Sequence, residues 1–191
     1  IVTGTVDGGA DDDGFALQGG STTTVIGGSG NDIFTMVGTA ISGNVTGGTG
    51  DDLALLTASV IGGSIDLGAG SDGMALAGPV TFPTSIDGGG DASTLDGFVD
   101  EIQYTLYTGL AGPIVNFEQV TVIDVLTVGS TVTFDAASYT TAESGSGFGL
   151  TVDPNSTAIF SNAGLAWNGD AFIDGTLFAG AGGAGLQTIT G

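Results

Sequence analysis

The side chains best equipped for chemistry in this chain are carboxylates, and they recur at a near-constant interval. Asp13, Asp32, Asp52 and Asp72 stand 19, 20 and 20 residues apart, preceded in turn by Asp12, Asn31, Asp51 and Ser71. The chain carries 21 acidic residues and no lysine, arginine or histidine, so none of these acids can be neutralised by a salt bridge. They must stay hydrated, share protons or bind cations. Two carboxylates ~5 Å apart repel by roughly 1 kcal/mol even at the dielectric of water, and like charges are normally avoided in cross-strand register. A divalent cation between adjacent turns would relieve that repulsion. Calcium takes six to eight oxygens from carboxylates and backbone carbonyls, and glycine turns leave carbonyls accessible. The candidate calcium ligands are Asp13, Asp32, Asp52, Asp72, Asn31 and Asp51 with the turn glycines Gly28, Gly30, Gly48 and Gly50. The best single site joins residues 27–32 to residues 47–52. Solvated acidic turns without metal are the alternative reading.

Other chemistries are excluded by composition. Without Cys, His, Lys or Arg, thiol catalysis, nucleophilic triads, Schiff bases and phosphate clamps have no residues to work with. A net charge of −21 repels nucleic-acid backbones and anionic membranes. A glycosidase needs only two suitably spaced carboxyls. Asp100, Glu101 and Glu118 are the candidates for that role, with Tyr104, Tyr107 or Trp167 as sugar-stacking platforms; a solvated face and core aromatics are the plainer alternative, and no residue is assigned as catalytic.

The elements that must position these acids are read from the repeat. Glycine-acid stretches begin at Gly8 (GGADDDGFAL), Gly27 (GGSGNDIFTM), Gly47 (GGTGDDLALL), Leu67 (LGAGSDGMAL) and Gly88 (GGGDASTLDG), 19, 20, 20 and 21 residues apart. A period of about twenty marks a solenoid whose coils cannot bury their apolar faces alone. Segments such as IFTMV and LALLTASVI are β-branched and apolar, and the frequent glycines penalise helix. The fold expected is all-β, a parallel β-helix of about 20 residues per coil. Phe15, Phe34, Ala54, Met74 and Leu95 are expected to form one internal ladder, and Leu17, Met36, Leu56 and Leu76 a second. Residues 1–97 carry the glycine-acid repeats. Residues 98–191 continue the solenoid with degenerate punctuation, Pro113 sitting in a turn, or else form a second lobe. Nine or ten coils, a rod of roughly 45 Å at ~4.8 Å per coil, are expected. The chain begins with Ile1 and lacks a signal-peptide pattern, so it reads as a piece of a longer product.

GGSGNDIFT, residues 27–35, resembles the RTX calcium-binding nonapeptide G-G-x-G-x-D-x-U-x, and GGTGDDLAL, residues 47–55, matches it with Ala54 at the large apolar position. Only one side of each coil carries it, whereas RTX rolls usually carry it on both. IDGG (86–89), VNFEQVTV (115–122), TVTF (131–134) and residues 150–177 together resemble passenger regions of bacterial autotransporters, which are right-handed parallel β-helices. These resemblances imply a right-handed solenoid, an extracellular or bacterial cell-surface location, and a structural or adhesive role. The implied partners are further copies joined end to end into filaments, a carbohydrate, or a host or cell surface. Polysaccharide binding or cleavage is the alternative function.

Overall fold

The computed structural model describes residues 2–81, 84–89, 100–111, 114–126, 128–134, 138–140, 149–160, 166–168 and 171–179. All of their regular structure is β, and the strands pair in parallel between successive coils. The chain is therefore an all-β solenoid of stacked coils. Its longest sheet has eight strands: Gly14–Gln18, Ile33–Val37, Leu53–Thr57, Gly73–Ala77, Glu101–Thr105, Gln119–Ile123, Gly149–Val152 and Ala171–Ile173. A second face has six strands, running from Thr5–Ala10 through Thr24–Ser29, Val45–Thr49, Ile65–Ala69 and Ile86–Asp87 to Ile114–Val115. A third side begins with Ser21–Thr22, Ala40–Ile41 and Val60–Ile61. Farther along, Thr108–Leu110, Thr131–Phe134, Thr157–Phe160 and Thr176–Ala179 form a separate four-stranded sheet.

Alternation within each strand decides what lies inside. In Ile33–Val37 the burial runs exposed, buried, intermediate, buried, exposed, so Phe34 and Met36 point into the core. The first ladder is Phe15, Phe34, Ala54, Met74, Ile102, Val120, Leu150 and Ala171. The second begins Leu17, Met36, Leu56 and Leu76, as the spacing predicted, and goes on through Tyr104 and Val122. Phe15 and Phe34 stack with ring centroids 4.8 Å apart and planes 3° apart, so one coil height equals one aromatic stacking distance.

The expected fifth rung is corrected. Met74 pairs with Ile102, not with a residue twenty positions on; Leu95 itself lies outside the described residues. The cause is coil length. Steps along the ladder are 19, 20 and 20 residues up to Met74, then 28, 18, 30 and 21. The coils lengthen in sequence while the register within the sheet is kept. Longer coils also mean fewer of them: eight strands in the longest described sheet against the nine or ten coils expected from a constant period. That sheet crosses position 97 without a break, Gly73–Ala77 pairing residue for residue with Glu101–Thr105.

Glycine serves two separate purposes. Gly28 and Gly48 adopt φ of 122° and 131°, in the region closed to most L side chains, and each lies against the Gly carbonyl of the coil before. Gly27 and Gly47 have no such φ; their reason is space, and it leads directly to the acids.

Candidate functional site: the acidic column

Asp32, Asp52 and Asp72 lie in the turn between the six-stranded face and the long sheet, each two residues before an inward ladder residue. Two residues along a strand return to the same face, so these carboxyls point inward. They are 0%, 2% and 2% exposed. The alternative of solvated acidic turns does not describe this row, whose last three members are interior.

The inner row is a hydrogen-bonded column. The Asp13 backbone N–H donates to Asp32 Oδ1 (2.8 Å), Asp32 N–H to Asp52 Oδ1 (2.8 Å), and Asp52 N–H to Asp72 Oδ1 (2.7 Å). It does not end there. Asp72 N–H donates to Asp100 Oδ1 (2.7 Å) and Asp100 N–H to Glu118 Oε2 (2.7 Å). At the same corner the backbone carbonyls point onward too: Asp32 O accepts from Leu53 N–H and Asp52 O from Gly73 N–H, both at 2.8 Å. A turn breaks the strand-to-strand ladder here, and the carboxylate supplies the acceptor that a strand carbonyl would otherwise give.

The outer row runs the opposite way. Asp12 Oδ1 accepts from Asn31 N–H (2.8 Å), Asn31 Oδ1 from Asp51 N–H (2.9 Å), and Asp51 Oδ1 from Ser71 N–H (3.0 Å). Each outer side chain caps the coil after it, and each inner one caps the coil before it. The first three coil junctions at this corner are therefore each fastened by two opposed side chains. A parallel hydroxyl series does similar work elsewhere: Thr39 N–H donates to Ser59 Oγ, Tyr107 N–H to Ser130 Oγ and Ser130 N–H to Ser156 Oγ.

The second inner oxygen is the unusual one. Oδ2 of Asp13, Asp32, Asp52 and Asp72 is buried without a hydrogen-bond partner among the described residues. In the first three coils what it touches is glycine. A Cβ placed on Gly8, Gly27 or Gly47 would run into Oδ2 of Asp13, Asp32 or Asp52 and into a carbonyl of the following coil. The Cα hydrogen standing there faces Oδ2, a weak C–H···O contact. In the fourth coil that position is Leu67, in register with Gly47. Replacing Gly47 with alanine is expected to cost about 1–3 kcal/mol through overpacking against backbone, read as a lower urea midpoint. The comparison is Gly38→Ala, where φ is left-handed but nothing lies within 4 Å of the new methyl; backbone conformation alone should cost it about 1–2 kcal/mol.

Burial dominates the electrostatics. It pushes the Asp52 carboxyl up to about 6 and the Asp72 carboxyl up to about 7, against an ordinary 3.8. The backbone N–H bonds pull both down, and neighbouring acids push them up further: Asp32 and Asp51 at Asp52, and Asp100, Asp52 and Asp51 at Asp72.

These residues do not fit a calcium cage. Oδ1 of Asp32, Asp52 and Asp72 is each held by an N–H and their Oδ2 is sealed against the interior, leaving these three no open edge for a cation that wants six to eight oxygens. In the outer row, Asn31 separates Asp12 from Asp51, and all three give an oxygen to a backbone N–H. Among the described residues no three acids converge in a geometry that could hold a metal ion. Gly28, Gly30, Gly48 and Gly50 make the bend, all with positive φ. Asp11 takes the place of that last glycine in the first coil, at φ 75°.

The candidate glycosidase acids are drawn into the same column. Asp100 and Glu118 are 6% and 5% exposed and cap successive coils, while Glu101 bonds Gln103 and Thr121 side chains on the outer face. Tyr104 and Tyr107 are core residues in edge-to-face contact at 5.2 Å, Tyr104 donating to the Ala111 carbonyl. Ser93, at the acid position of the expected fifth repeat, and the side chain of Trp167 lie outside the described residues. No family model, curated protein or solved structure matches this chain.

Proposed function

We propose that the chain is a non-enzymatic structural or adhesive solenoid element of a bacterial surface protein, exposed outside the cell. Its role is mechanical: a stack of coils that spans distance and presents long β faces to a carbohydrate or a cell surface. Parallel coils pair through the same backbone groups whether the next coil comes from the same chain or another copy, so end-to-end assembly into filaments belongs to this reading. The observation that carries it is the use made of the acids. The carboxyls best suited to catalysis, Asp100 and Glu118, are buried and bonded to backbone as rungs of a column.

Polysaccharide binding or cleavage is the competing reading, and one set of experiments separates the two. Electron microscopy should show rods that lengthen end to end with concentration, and no polysaccharide should be hydrolysed. Asp100→Asn and Glu118→Gln should alter stability only. Hydrolysis lost in either variant, while the fold is retained, would overturn the structural reading. Short monomeric rods at every concentration would remove the filament from it. Assembly that appears only with added millimolar calcium would restore the metal to the acidic turns.

A further inference from the structure

One corner of the solenoid carries more chain than the fold needs. After each strand of the long sheet the earlier coils turn on a single left-handed residue, such as Gly38, Ala58 or Leu106, at φ 59°, 48° and 49°. Ser59, next after Ala58, sets its Oγ against the Thr57 and Met36 carbonyls at 3.1 and 3.2 Å. Ser130 makes the same two contacts in its own coil, to Ile123 and Tyr104 at 2.9 and 3.0 Å, and these are the register equivalents of Thr57 and Met36. Yet residues 124–129 stand between Ile123 and Ser130, where Ala58 alone suffices in the earlier coil. The added segment is firmly held. Val125 and Val128 exchange backbone hydrogen bonds of 2.9 and 3.0 Å, Asn155 Nδ2 donates to Asp124 Oδ2 at 2.6 Å, and Gly129 lies against the Asn155 carbonyl. What it holds out is apolar: Leu126 is 91% exposed at φ 49°, with Val125 and Val128 exposed beside it. A bulky side chain in left-handed backbone, facing water, gains nothing from the fold it belongs to.

The same flank has a place for such a knob. The strands that follow this corner in the first coils, Ser21–Thr22, Ala40–Ile41 and Val60–Ile61, border an open groove of about 410 Å³ whose lining includes Val2, Thr23, Ala40, Ile41 and Val60 and no acid. Copies of a chain with a net charge of −21 repel one another, so close approach falls to surfaces without carboxylates. Knob and groove are two such surfaces, and the acid at the foot of the knob, Asp124, is turned onto Asn155. We propose that two copies pair side by side and antiparallel, the Leu126 of each seated in the Val2–Ala40–Val60 groove of the other. The groove lies in the first three coils and the knob follows the sixth strand of the long sheet. A half-turn about an axis perpendicular to the rod therefore sets both knobs over both grooves in one operation and closes the pair. Parallel copies facing each other at the same height would meet knob to knob.

This pairing is separate from the end-to-end assembly proposed above: it doubles the width of a rod, not its length. Sedimentation equilibrium of the full chain should show a monomer–dimer equilibrium that strengthens with salt, because repulsion is screened while the apolar contact is kept. Leu126→Ser should weaken it about tenfold or more with the melting temperature unchanged, since the side chain faces water in the single copy. Val60→Asp should do the same from the groove side. The chain has no cysteine, so Leu126→Cys combined with Val60→Cys should give, on oxidation, dimers linked 126 to 60, and neither single variant should cross-link. A chain that stays monomeric at every salt and protein concentration, dimers untouched by Leu126→Ser, or a link from 126 to 126 would overturn the pairing. So would flotation with phosphatidylcholine vesicles that is lost in Leu126→Ser, which would give the knob to a lipid surface. Rods that lengthen at single width would overturn the pairing and leave the surface reading standing.

Discussion

At pH 3.5, replacing Asp52 with alanine is expected to lower the free energy of unfolding by about 2–4 kcal/mol, measured by urea denaturation. Two losses add. The Asp32 N–H loses its acceptor in a buried corner, which costs about 1–3 kcal/mol, and the missing carboxyl leaves a void beside Gly47 and Leu67. Asparagine separates the bond from the charge. Asp52→Asn keeps an oxygen for the Asp32 N–H, so at pH 3.5, where both states hold the proton, it should be nearly neutral. At pH 8 it should raise stability by up to about 3 kcal/mol, since it never ionises. A carboxyl exposed to water predicts otherwise: alanine and asparagine would then be alike, and both close to wild type at either pH.

The same column gives the chain an inverted pH response. Asp52 and Asp72 bind protons more tightly folded, at about 6 and about 7, than unfolded, at 3.8. Between pH 4 and pH 7 the folded state therefore holds more protons, and stability falls as pH rises through that window. Below it both states are protonated and the column is intact; above it the full penalty of two buried ionised carboxylates is present. One unit is worth 1.36 kcal/mol, so each group alone accounts for roughly 3–4 kcal/mol. The two are adjacent and do not add independently. A loss of about 3–5 kcal/mol from pH 5 to pH 8 corresponds to a melting temperature lower by roughly 10 °C for a chain of this size. Surface repulsion in so acidic a protein has the same sign, but salt screens it. The part due to the column should persist in high salt and disappear in the Asp52→Asn, Asp72→Asn double variant. Stability that rises between pH 5 and pH 8 would show that the inner acids are charged and satisfied in the folded state.

Much of this was legible in the sequence, and the misses have physical causes. The twenty-residue period placed Phe34 over Phe15 and Met36 over Leu17, and it put Asp13, Asp32, Asp52 and Asp72 in one row. Their direction was also written there. Asp32 stands two residues before Phe34, and strand alternation sends both to one face; charge reasoning alone leaves hydration, a shared proton and a bound cation all open. The continuation through Asp100 and Glu118 was hidden by coil length. A constant period points from Asp72 to Ser93, whereas the coil holds 28 residues between Asp72 and Asp100. The parity signal survives that insertion: Asp100 precedes Ile102, and Glu118 precedes Val120, by the same two residues. Glycine was read as bend chemistry throughout, which accounts for Gly28 and Gly48 but not for Gly27 and Gly47. Those two have ordinary φ, and their lack of a Cβ makes room for a carboxylate that only the three-dimensional stack brings near.

The central claim is that buried carboxyls, not metal ions or surface charge, fasten successive coils at this corner. Amide hydrogen exchange tests it most directly, because the N–H groups of Asp13, Asp32, Asp52, Asp72 and Asp100 donate to a carboxylate of the next coil. At pH 5 these five amides should be protected as strongly as the strand amides of Phe34 and Met36, and equally so with and without chelator. Exchange as fast as that of an exposed turn, or protection that vanishes on chelation, would contradict the account.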